Sequence, residues 1–171
     1  LPITLTSNGE PADDGDTDTN TNLTLDFGII GYSVGNYVWA DDDNSGDVNG
    51  AEAGIDGVTV LLLDENDNPV DDPNQAGIQN YEVVTDNGGF YFFGNLPAGE
   101  YKVQIVGSNF ADGTGALDNL IPSTGAAQEA DPDTGGDQND NGLGDNLTVT
   151  ELTTNGVVSD VFELGEGDGF Q

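Results

Sequence analysis

The sequence contains no cysteine, no histidine and no methionine. Disulfides, thiol chemistry, histidine-based catalysis and the usual zinc and copper sites are therefore excluded. No stretch is long and apolar enough for a transmembrane span, and no signal peptide is recognisable. Because the chain starts at Leu1 without methionine, we expect a mature fragment or an internal piece of a longer protein. An extracellular chain without disulfides needs another stabilising element, and calcium is abundant outside cells.

Basic residues are also almost absent. Lys102 is the single base against 33 acidic residues, which gives a net charge of −32. Such a chain repels nucleic acid and anionic membranes, so neither is expected as a partner. The self-repulsion favours partial disorder, adaptation to high salt, or folding around divalent cations. Aromatic residues and regular strand patterns argue against wholesale disorder, and we favour cation-dependent folding.

One acidic stretch has the spacing of a twelve-residue calcium loop, with Gly46 at position 6, where the backbone must turn sharply. The candidate ligands are Asp41, Asp43, Ser45, Asp47, Asn49 and Glu52. The preceding residues 34–39 have strand character and not the helical character of a true EF-hand. The alternative is an acidic, solvated turn between strands. We predict a Ca²⁺ site on a loop that follows a strand.

A second acidic segment alternates oxygen-bearing residues with glycines. Its candidate ligands are Asp131, Asp133, Asp137, Asn139 and Asp145. The alternation suits calcium chemistry, but the spacing fits no single template, and a solvated loop is the competing interpretation. Two further acidic stretches, 13–18 and 64–68, are of a kind common in linkers and turns without an ion.

Alternating apolar residues predict strands throughout the chain, and no helix is expected. The predicted strands are 1–6, 23–27, 34–39, 58–63, 80–85, 90–93, 100–106, 146–152 and 157–164. Turns are predicted at Asp64–Pro69 and at Asp86–Gly89, and a long loop over 107–144. We expect Phe90 and Phe92 to face one side of their strand and Tyr91 and Phe93 the other. The pattern predicts an all-β sandwich.

Catalysis is not expected. The carboxylates cluster in loops rich in glycine and asparagine, which suit a metal or water better than the sheltered cleft that a general acid requires. A carbohydrate- or protein-binding role for Trp39, Tyr37 or Tyr91 is an alternative, although aromatic residues that alternate along strands usually pack in a core or on a sheet face.

Three segments, Val34–Asp47, Glu52–Val60 and Thr85–Val103, resemble the SdrD B-like repeat family. The resemblance implies a Greek-key, prealbumin-like β-sandwich related to collagen-adhesin B domains. It also implies a calcium-rigidified structural spacer in adhesins of the bacterial cell surface or in secreted multidomain proteins. The family's first calcium loop corresponds here to Asp41, Asp43, Ser45, Asp47 and Glu52. Its more variable acidic loop corresponds only to the region 131–145.

The ends of the chain depart from a single repeat. Asn22–Gly28 resembles a final strand but comes first, so residues 1–30 are expected to be the end of a preceding repeat or a donor strand. Residues 31–171 are then a domain that lacks its own last strand. Either the chain is cut from a tandem array, or one subunit completes the sandwich of its neighbour, because an open sheet edge must be covered. Neighbouring copies are therefore the expected partners; no particular host or glycan ligand is indicated.

Overall fold

The computed structural model describes residues 28, 31–124, 140, 142–144 and 147–165. The chain divides into two units, Leu1–Ile30 and Gly31–Gln171. Except for Gly28, every described residue belongs to the second unit. The predicted donor segment 1–30 therefore lies outside the described residues, apart from that glycine. The same holds for five predicted ligands, which are Asp131, Asp133, Asp137, Asn139 and Asp145.

The described part of the domain is built from antiparallel strands, as the alternation of its sequence predicts. The strands are β1 (Tyr32–Tyr37), β2 (Thr59–Asp64), β3 (Glu82–Val84), β4 (Phe90–Leu96), β5 (Gly99–Ile105), β6 (Val157–Val158) and β7 (Phe162–Leu164). One sheet pairs β1 with β4, and the other has the order β3-β2-β5-β6, with β7 also paired to β5. Because every pairing is antiparallel and helix is scarce, the all-β prediction is confirmed.

The core draws side chains from both sheets. Val58, Val60 and Leu62 of the β2 region are fully buried, as is Phe93 of β4. Along β4 the side chains alternate as predicted: Phe90 and Phe92 are 38% and 52% exposed, whereas Phe93 is at 0%. Phe93 makes an edge-to-face contact with Tyr81, with ring centroids 5.0 Å apart. The two sheets thus share one apolar core, which holds the loops between them in place.

The prediction of a strand over 146–152 and of a chain without helix is wrong. Residues Val149–Asn155 form an α-helix, α1. Thr148 caps it, because its Oγ1 accepts from the Glu151 N–H while the Glu151 carboxylate accepts from the Thr148 N–H. Gly156 ends it with a positive φ of 70°, a conformation that glycine adopts at little cost. In the described part of the chain, α1 buries Leu152.

Two smaller features complete the architecture. Gly107–Phe110 form a short 3-10 helix after β5, inside the region predicted to be loop, and the predicted strand over 157–164 is divided into β6 and β7. The helices are short: within the residues that the structure describes, none is long and apolar enough to cross a membrane.

A tight turn anchors the region that leads to the candidate site. Asp86 and Phe90 exchange backbone hydrogen bonds of 3.0 and 2.9 Å, which confirms the predicted turn at Asp86–Gly89. The Asp56 carboxylate accepts from the N–H groups of Gly88 and Gly89 at 2.8 and 2.7 Å. A Cβ on Gly54 would lie 1.8 Å from the Gly88 carbonyl oxygen, so this contact requires glycine.

Candidate metal centre

The loop with the predicted calcium spacing leaves β1 and returns beside it. The Ala40 N–H donates to the Ala53 carbonyl at 2.9 Å, and the Ile55 N–H to the Val38 carbonyl at 2.8 Å. Val38 also donates to the Gly89 carbonyl at 2.8 Å. These bonds fix the entry and the exit of the loop against the core, so the residues between them are held in a closed ring.

Three carboxylates of this ring converge. Asp41, Asp43 and Glu52 each place an oxygen atom within 4.8 Å of the other two. Like charges so close repel one another, and the only base of the chain, Lys102, pairs elsewhere with Asp67. A cation at this place would remove the repulsion.

The other three predicted ligands meet the carboxylates at the same point. The Ser45 hydroxyl donates to the Asp47 carbonyl at 3.1 Å. The Asn49 amide Nδ2 donates to Ser45 Oγ at 2.8 Å and approaches the Asp47 carbonyl at 3.3 Å and Asp43 Oδ2 at 3.4 Å. The structure thus brings together all six residues proposed from the spacing of the first loop, and Asn49 contacts three of the oxygens that a cation would contact.

Backbone donors hold the carboxylates in these positions. Asp41 accepts from the N–H groups of Ser45 and Gly46 at 3.0 and 2.8 Å. Glu52 accepts from the N–H groups of Asp42 and Asn49 at 3.1 and 2.9 Å. Gly46 has a φ of 77°, the left-handed conformation expected at position 6 of such a loop. These backbone donors therefore orient the carboxylates of Asp41 and Glu52 within the loop.

A segment far along the chain contacts the loop as well. Burial alone would raise the pKa of Asp41, but the hydrogen bonds from Ser123 Oγ and from the N–H groups of Gly46 and Ser45 hold it below the ordinary value. Thr124 N–H donates to Asn44 Oδ1 at 2.9 Å. Ser123 and Thr124 could not be predicted as part of the site from the sequence, because no spacing rule links them to a loop about eighty residues earlier.

Asp140 is the residue of the second acidic segment that contacts the first loop within the described part of the chain. Its N–H donates to the Gly46 carbonyl at 2.9 Å, and its carboxylate accepts from Gly142 N–H at 2.9 Å. The five residues proposed as ligands in that segment lie outside the described residues. Asp140 itself lies next to the first loop.

The donors of the first loop fit a hard divalent cation. They comprise three carboxylates, a hydroxyl, a backbone carbonyl and a side-chain amide, with no nitrogen or sulfur ligand among them. Calcium and magnesium prefer oxygen donors of this kind, whereas transition metals favour imidazole and thiolate. Calcium takes about six to eight oxygens in flexible geometry, and a loop of six donors can supply most of that number.

The acidic turn at 64–68 is built differently. Asp64 Oδ1 accepts from the N–H groups of Asn66 and Asn68 at 2.9 and 2.8 Å. The Lys102 ammonium lies 2.6 Å from Asp67 Oδ1. The Lys102 side chain is 16% exposed. In this turn the carboxylates are satisfied by groups of the protein itself.

The aromatic residues considered for ligand binding occupy two different environments. Tyr37 is 51% exposed and stacks edge-to-face with Phe90, with ring centroids 5.5 Å apart. Tyr91 faces inward, and burial of its hydroxyl raises the pKa to about 12. Trp39 follows β1, and its indole Nε1 is buried without a hydrogen-bond partner in the described part of the chain. Tyr37 alone of the three has an open aromatic face.

Comparison with known proteins agrees with this architecture. The model of the SdrD B-like domain matches residues 32–156. Serine-aspartate repeat-containing protein D of Staphylococcus aureus (strain Newman) is 33% identical over 153 residues, which is 78% of this chain and 11% of that protein. The corresponding protein I of Staphylococcus saprophyticus is 38% identical over 87 residues, 49% of this chain and 4% of that protein.

A relative from outside the bacteria is also similar. Colossin-A of Dictyostelium discoideum is 32% identical over 113 residues, 63% of this chain and 1% of that protein. This chain spans about a tenth or less of the length of these relatives. The family match covers most of the chain and includes the candidate loop and strands β1 to β5, so the resemblance noted in the sequence is confirmed. The chain belongs to the SdrD B-like domain family.

Proposed function

We propose that this chain is a calcium-stabilised structural module of an extracellular fibre, stalk or adhesin. Its partners are neighbouring copies of the same domain, which follow one another in tandem or are joined by strand donation from residues 1–30. Its connectivity is the prealbumin-like Greek key of the resemblance. The chain carries the SdrD B-like domain and is similar to serine-aspartate repeat-containing proteins of staphylococci, and we assign no catalytic role to it.

The observation that carries this proposal is the convergence of Asp41, Asp43 and Glu52 to within 4.8 Å. In the calcium-bound module these carboxylates hold the ion together with Ser45 Oγ, the Asp47 carbonyl and the Asn49 amide oxygen. To bind in this way, the Asn49 amide turns its oxygen inward in place of Nδ2. The ion supplies the positive charge that the loop lacks and thereby makes the loop rigid. The hydrogen bonds from Ser123 and Thr124 join this rigid loop to a second part of the domain.

The consequence for function is mechanical. A chain of net charge −32 repels its own copies at low ionic strength. Divalent cations in the loops lower this charge, fix the loop backbone and restrict the local opening that proteases need. Extracellular calcium keeps such a module rigid, and its removal softens the module. The second acidic segment, with Asp131, Asp133, Asp137, Asn139 and Asp145, contributes further ligands in this proposal.

Thermal unfolding with and without EDTA tests the proposal, with electron microscopy of the same samples. We expect chelation to lower the melting temperature sharply and to shorten or bend assemblies, and restored calcium to reverse both effects. Potassium chloride of matched ionic strength is the control for general charge screening. If potassium restores the melting temperature as well as calcium does, the acidity reflects salt adaptation and the calcium proposal fails.

One observation favours a second candidate function, a carbohydrate- or protein-binding module. Tyr37, Phe90 and Phe92 expose 51%, 38% and 52% of their surface on one face of the two-stranded sheet. Exposed aromatic rings suit the apolar faces of sugars and the anchor residues of proteins. A glycan array with the chain and with Tyr37→Ala tests this candidate: a signal that the substitution abolishes supports it, and its absence leaves the structural role alone.

A further inference from the structure

An apolar cavity opens between the two sheets beside the end of β1. Its volume is about 450 Å³, and its apolar walls include Val38, Tyr91, Ile105, Leu120 and Ile121. An apolar cavity of about 150 Å³ is large enough to hold a benzene molecule. This cavity therefore has room for several bulky side chains. Two of its walls are exposed to an unusual degree for leucine and isoleucine, at 46% for Leu120 and 75% for Ile121.

The cavity lies along one edge of the two-stranded sheet, where the Tyr37 N–H donates to the Asn36 side-chain Oδ1 at 3.0 Å. In the described part of the sheet, β1 is paired with a single strand, β4. Val38 donates to Gly89 on that side, so the backbone groups of its neighbours Tyr37 and Trp39 face the opposite edge. Trp39 lines the cavity, and its buried indole N–H lacks an acceptor among the residues that the structure describes. An added strand would bring backbone carbonyls to this edge and to the indole.

The N-terminal segment has the composition of such a strand. Leu23, Leu25 and Phe27 alternate with Thr24 and Asp26. One face of a strand with this sequence is entirely apolar, whereas the other is polar. Residues 22–28 carry a single charge, that of Asp26, although the chain has 33 acidic residues. Burying this segment therefore costs little electrostatic energy. Residues 1–6 also alternate, with Leu1, Ile3 and Leu5 on one face, but this segment has no aromatic residue and contains Pro2, which cannot donate a backbone hydrogen bond to a neighbouring strand.

The register favours a strand from another copy. If the chain reversed over 28–31, Phe27 would lie opposite Tyr32, and the polar residues 19–22 would lie opposite 37–40, where the cavity is. The apolar residues would then miss most of the cavity. A strand from a second copy is free of this constraint and can place its leucines and phenylalanine directly against the cavity.

We propose that residues 22–28 of one copy fill the cavity beside β1 of another, pair with the edge of β1 and accept the Trp39 indole hydrogen bond. This inference rests on the proposed function, since it assigns the place where copies join. Asp41 and Asn44 belong to the same cavity wall as Ser123 and Thr124. The calcium loop therefore forms one rim of the acceptor, and chelation is expected to weaken the junction as well as the domain.

The test uses the full chain with Leu25→Asp, which places a charge on the apolar face, and Thr24→Asp as the matched control on the polar face. Sedimentation velocity in calcium measures assembly. Acrylamide quenching reports on Trp39, which is the only tryptophan. A synthetic peptide of residues 21–29 is added to each protein, and the same peptide with Leu25→Asp is its control.

We expect the wild type and Thr24→Asp to assemble with rising concentration and to protect Trp39. Leu25→Asp should lose assembly and expose Trp39, and the wild-type peptide alone should restore protection. Because Leu25→Asp keeps its acceptor, a small fraction of it should end growing assemblies and shorten them, whereas Thr24→Asp should not. This shortening also proves that the variant is folded.

Two outcomes would overturn the inference. In the first, Leu25→Asp assembles as the wild type does. In the second, the wild type stays monomeric at every concentration and its Trp39 is protected, whereas Trp39 is exposed in Leu25→Asp. That result would mean that the chain's own segment 22–28 fills the cavity. Thermal unfolding of Leu25→Asp with and without EDTA separates the two proposals: if calcium still raises its melting temperature, the calcium-stabilised module stands and only the junction fails.

Discussion

The loop at 41–52 and the turn at 64–68 have nearly the same composition but satisfy their charges in opposite ways. Both consist mainly of Asp, Asn and Glu, and both use left-handed residues, Asn44 with φ 54° in the loop and Asp67 with φ 64° in the turn. In the turn, Asp64 accepts from two backbone N–H groups and Asp67 pairs with Lys102 at 2.6 Å. In the loop, three carboxylates converge with no basic side chain among them.

The difference lies in where the positive charge comes from. The chain has one base, and that base serves the turn. The loop must take its neutralising charge from solution, which makes its stability depend on the concentration of a cation. Acidic composition alone therefore does not identify a site. The convergence of oxygens around a point that no protein cation reaches distinguishes the loop from the turn.

Among the substitutions proposed here, Glu52→Gln should have the largest effect on the calcium-dependent stability of the loop. The substitution removes one of the three converging charges and a ligand at the position where calcium loops use a bidentate carboxylate. Calcium at a thousandfold excess over its Kd stabilises a binding protein by about 4 kcal/mol. We call this stabilisation by calcium the calcium increment and measure it as the difference in melting temperature between calcium and EDTA. We expect the variant to lose most of it.

Asp67→Asn in the turn is the matched control for Glu52→Gln. It also removes one negative charge from an acidic segment, but its partner is Lys102 and not a metal ion. The calcium increment should stay at its wild-type size. If both substitutions reduce the increment equally, calcium acts on the total charge of the chain and the loop is no specific site.

The next effect in size concerns the backbone. Gly46 has φ 77° and Gly77 has φ 92°, so alanine is strained at either position by about 1–2 kcal/mol. In EDTA, Gly46→Ala and Gly77→Ala should lower the free energy of unfolding by similar amounts in denaturant titrations. With calcium, Gly46→Ala alone should lose more, because a shift at position 6 displaces the neighbouring ligands. Equal losses with calcium would contradict a metal site at the loop.

Much of the fold could be predicted because its signals are local. The alternation in Phe90–Phe93 specifies which side chains enter the core, and Asp86–Gly89 specifies the turn before them. Helix α1 was missed although its capping signal, Thr148 with Glu151, is present in the sequence, because its β-branched residues resemble a strand. Helix formation was decided by the cap and by the burial of Leu152, which depends on tertiary packing.

The candidate site divides in the same way. The six ligands of the first loop could be proposed because one continuous segment carries them all with a fixed spacing. The contact of Ser123 with Asp41 joins residues 82 positions apart, and no local pattern announces it. The cavity beside β1 is likewise a property of two sheets and not of any segment. Local chemistry is visible in a single sequence, whereas the surfaces created by folding are not.

Acid should distinguish the two segments by competition. The pKa of Asp41 and that of Asp64 both lie below the ordinary value of 3.8, Asp41 through Ser123, Gly46 and Ser45, and Asp64 through Asn68. A depressed pKa gives stability that is complete above the unfolded value and is lost as the pH falls through the folded value. In EDTA, Asp41→Asn and Asp64→Asn should therefore both flatten the acid limb of a pH–stability curve.

With calcium present, the two variants should differ in how their melting temperature depends on pH. Protons and calcium compete for the Asp41 carboxylate, so the wild type should lose its calcium increment as the pH falls below the ordinary value of 3.8. Asp64→Asn should keep the calcium increment at neutral pH and lose it in acid, as the wild type does. Asp41→Asn should have little calcium increment at any pH. Melting curves from neutral pH to pH 2 measure this directly. An increment independent of pH down to that limit would show that carboxylates do not hold the ion.

The smallest expected effect comes from Lys102→Gln, which removes the base from the turn. A partly exposed ion pair contributes at most about 1 kcal/mol, and Asp67 is 67% exposed, so we expect a loss of about 0.5 kcal/mol in denaturant titrations. The sign of a second effect is more informative. Once Lys102 is gone, the turn also lacks a protein cation, yet Asp64 remains satisfied by backbone N–H groups. The calcium increment should stay unchanged, because a cation site requires converging oxygens and not only unneutralised charge.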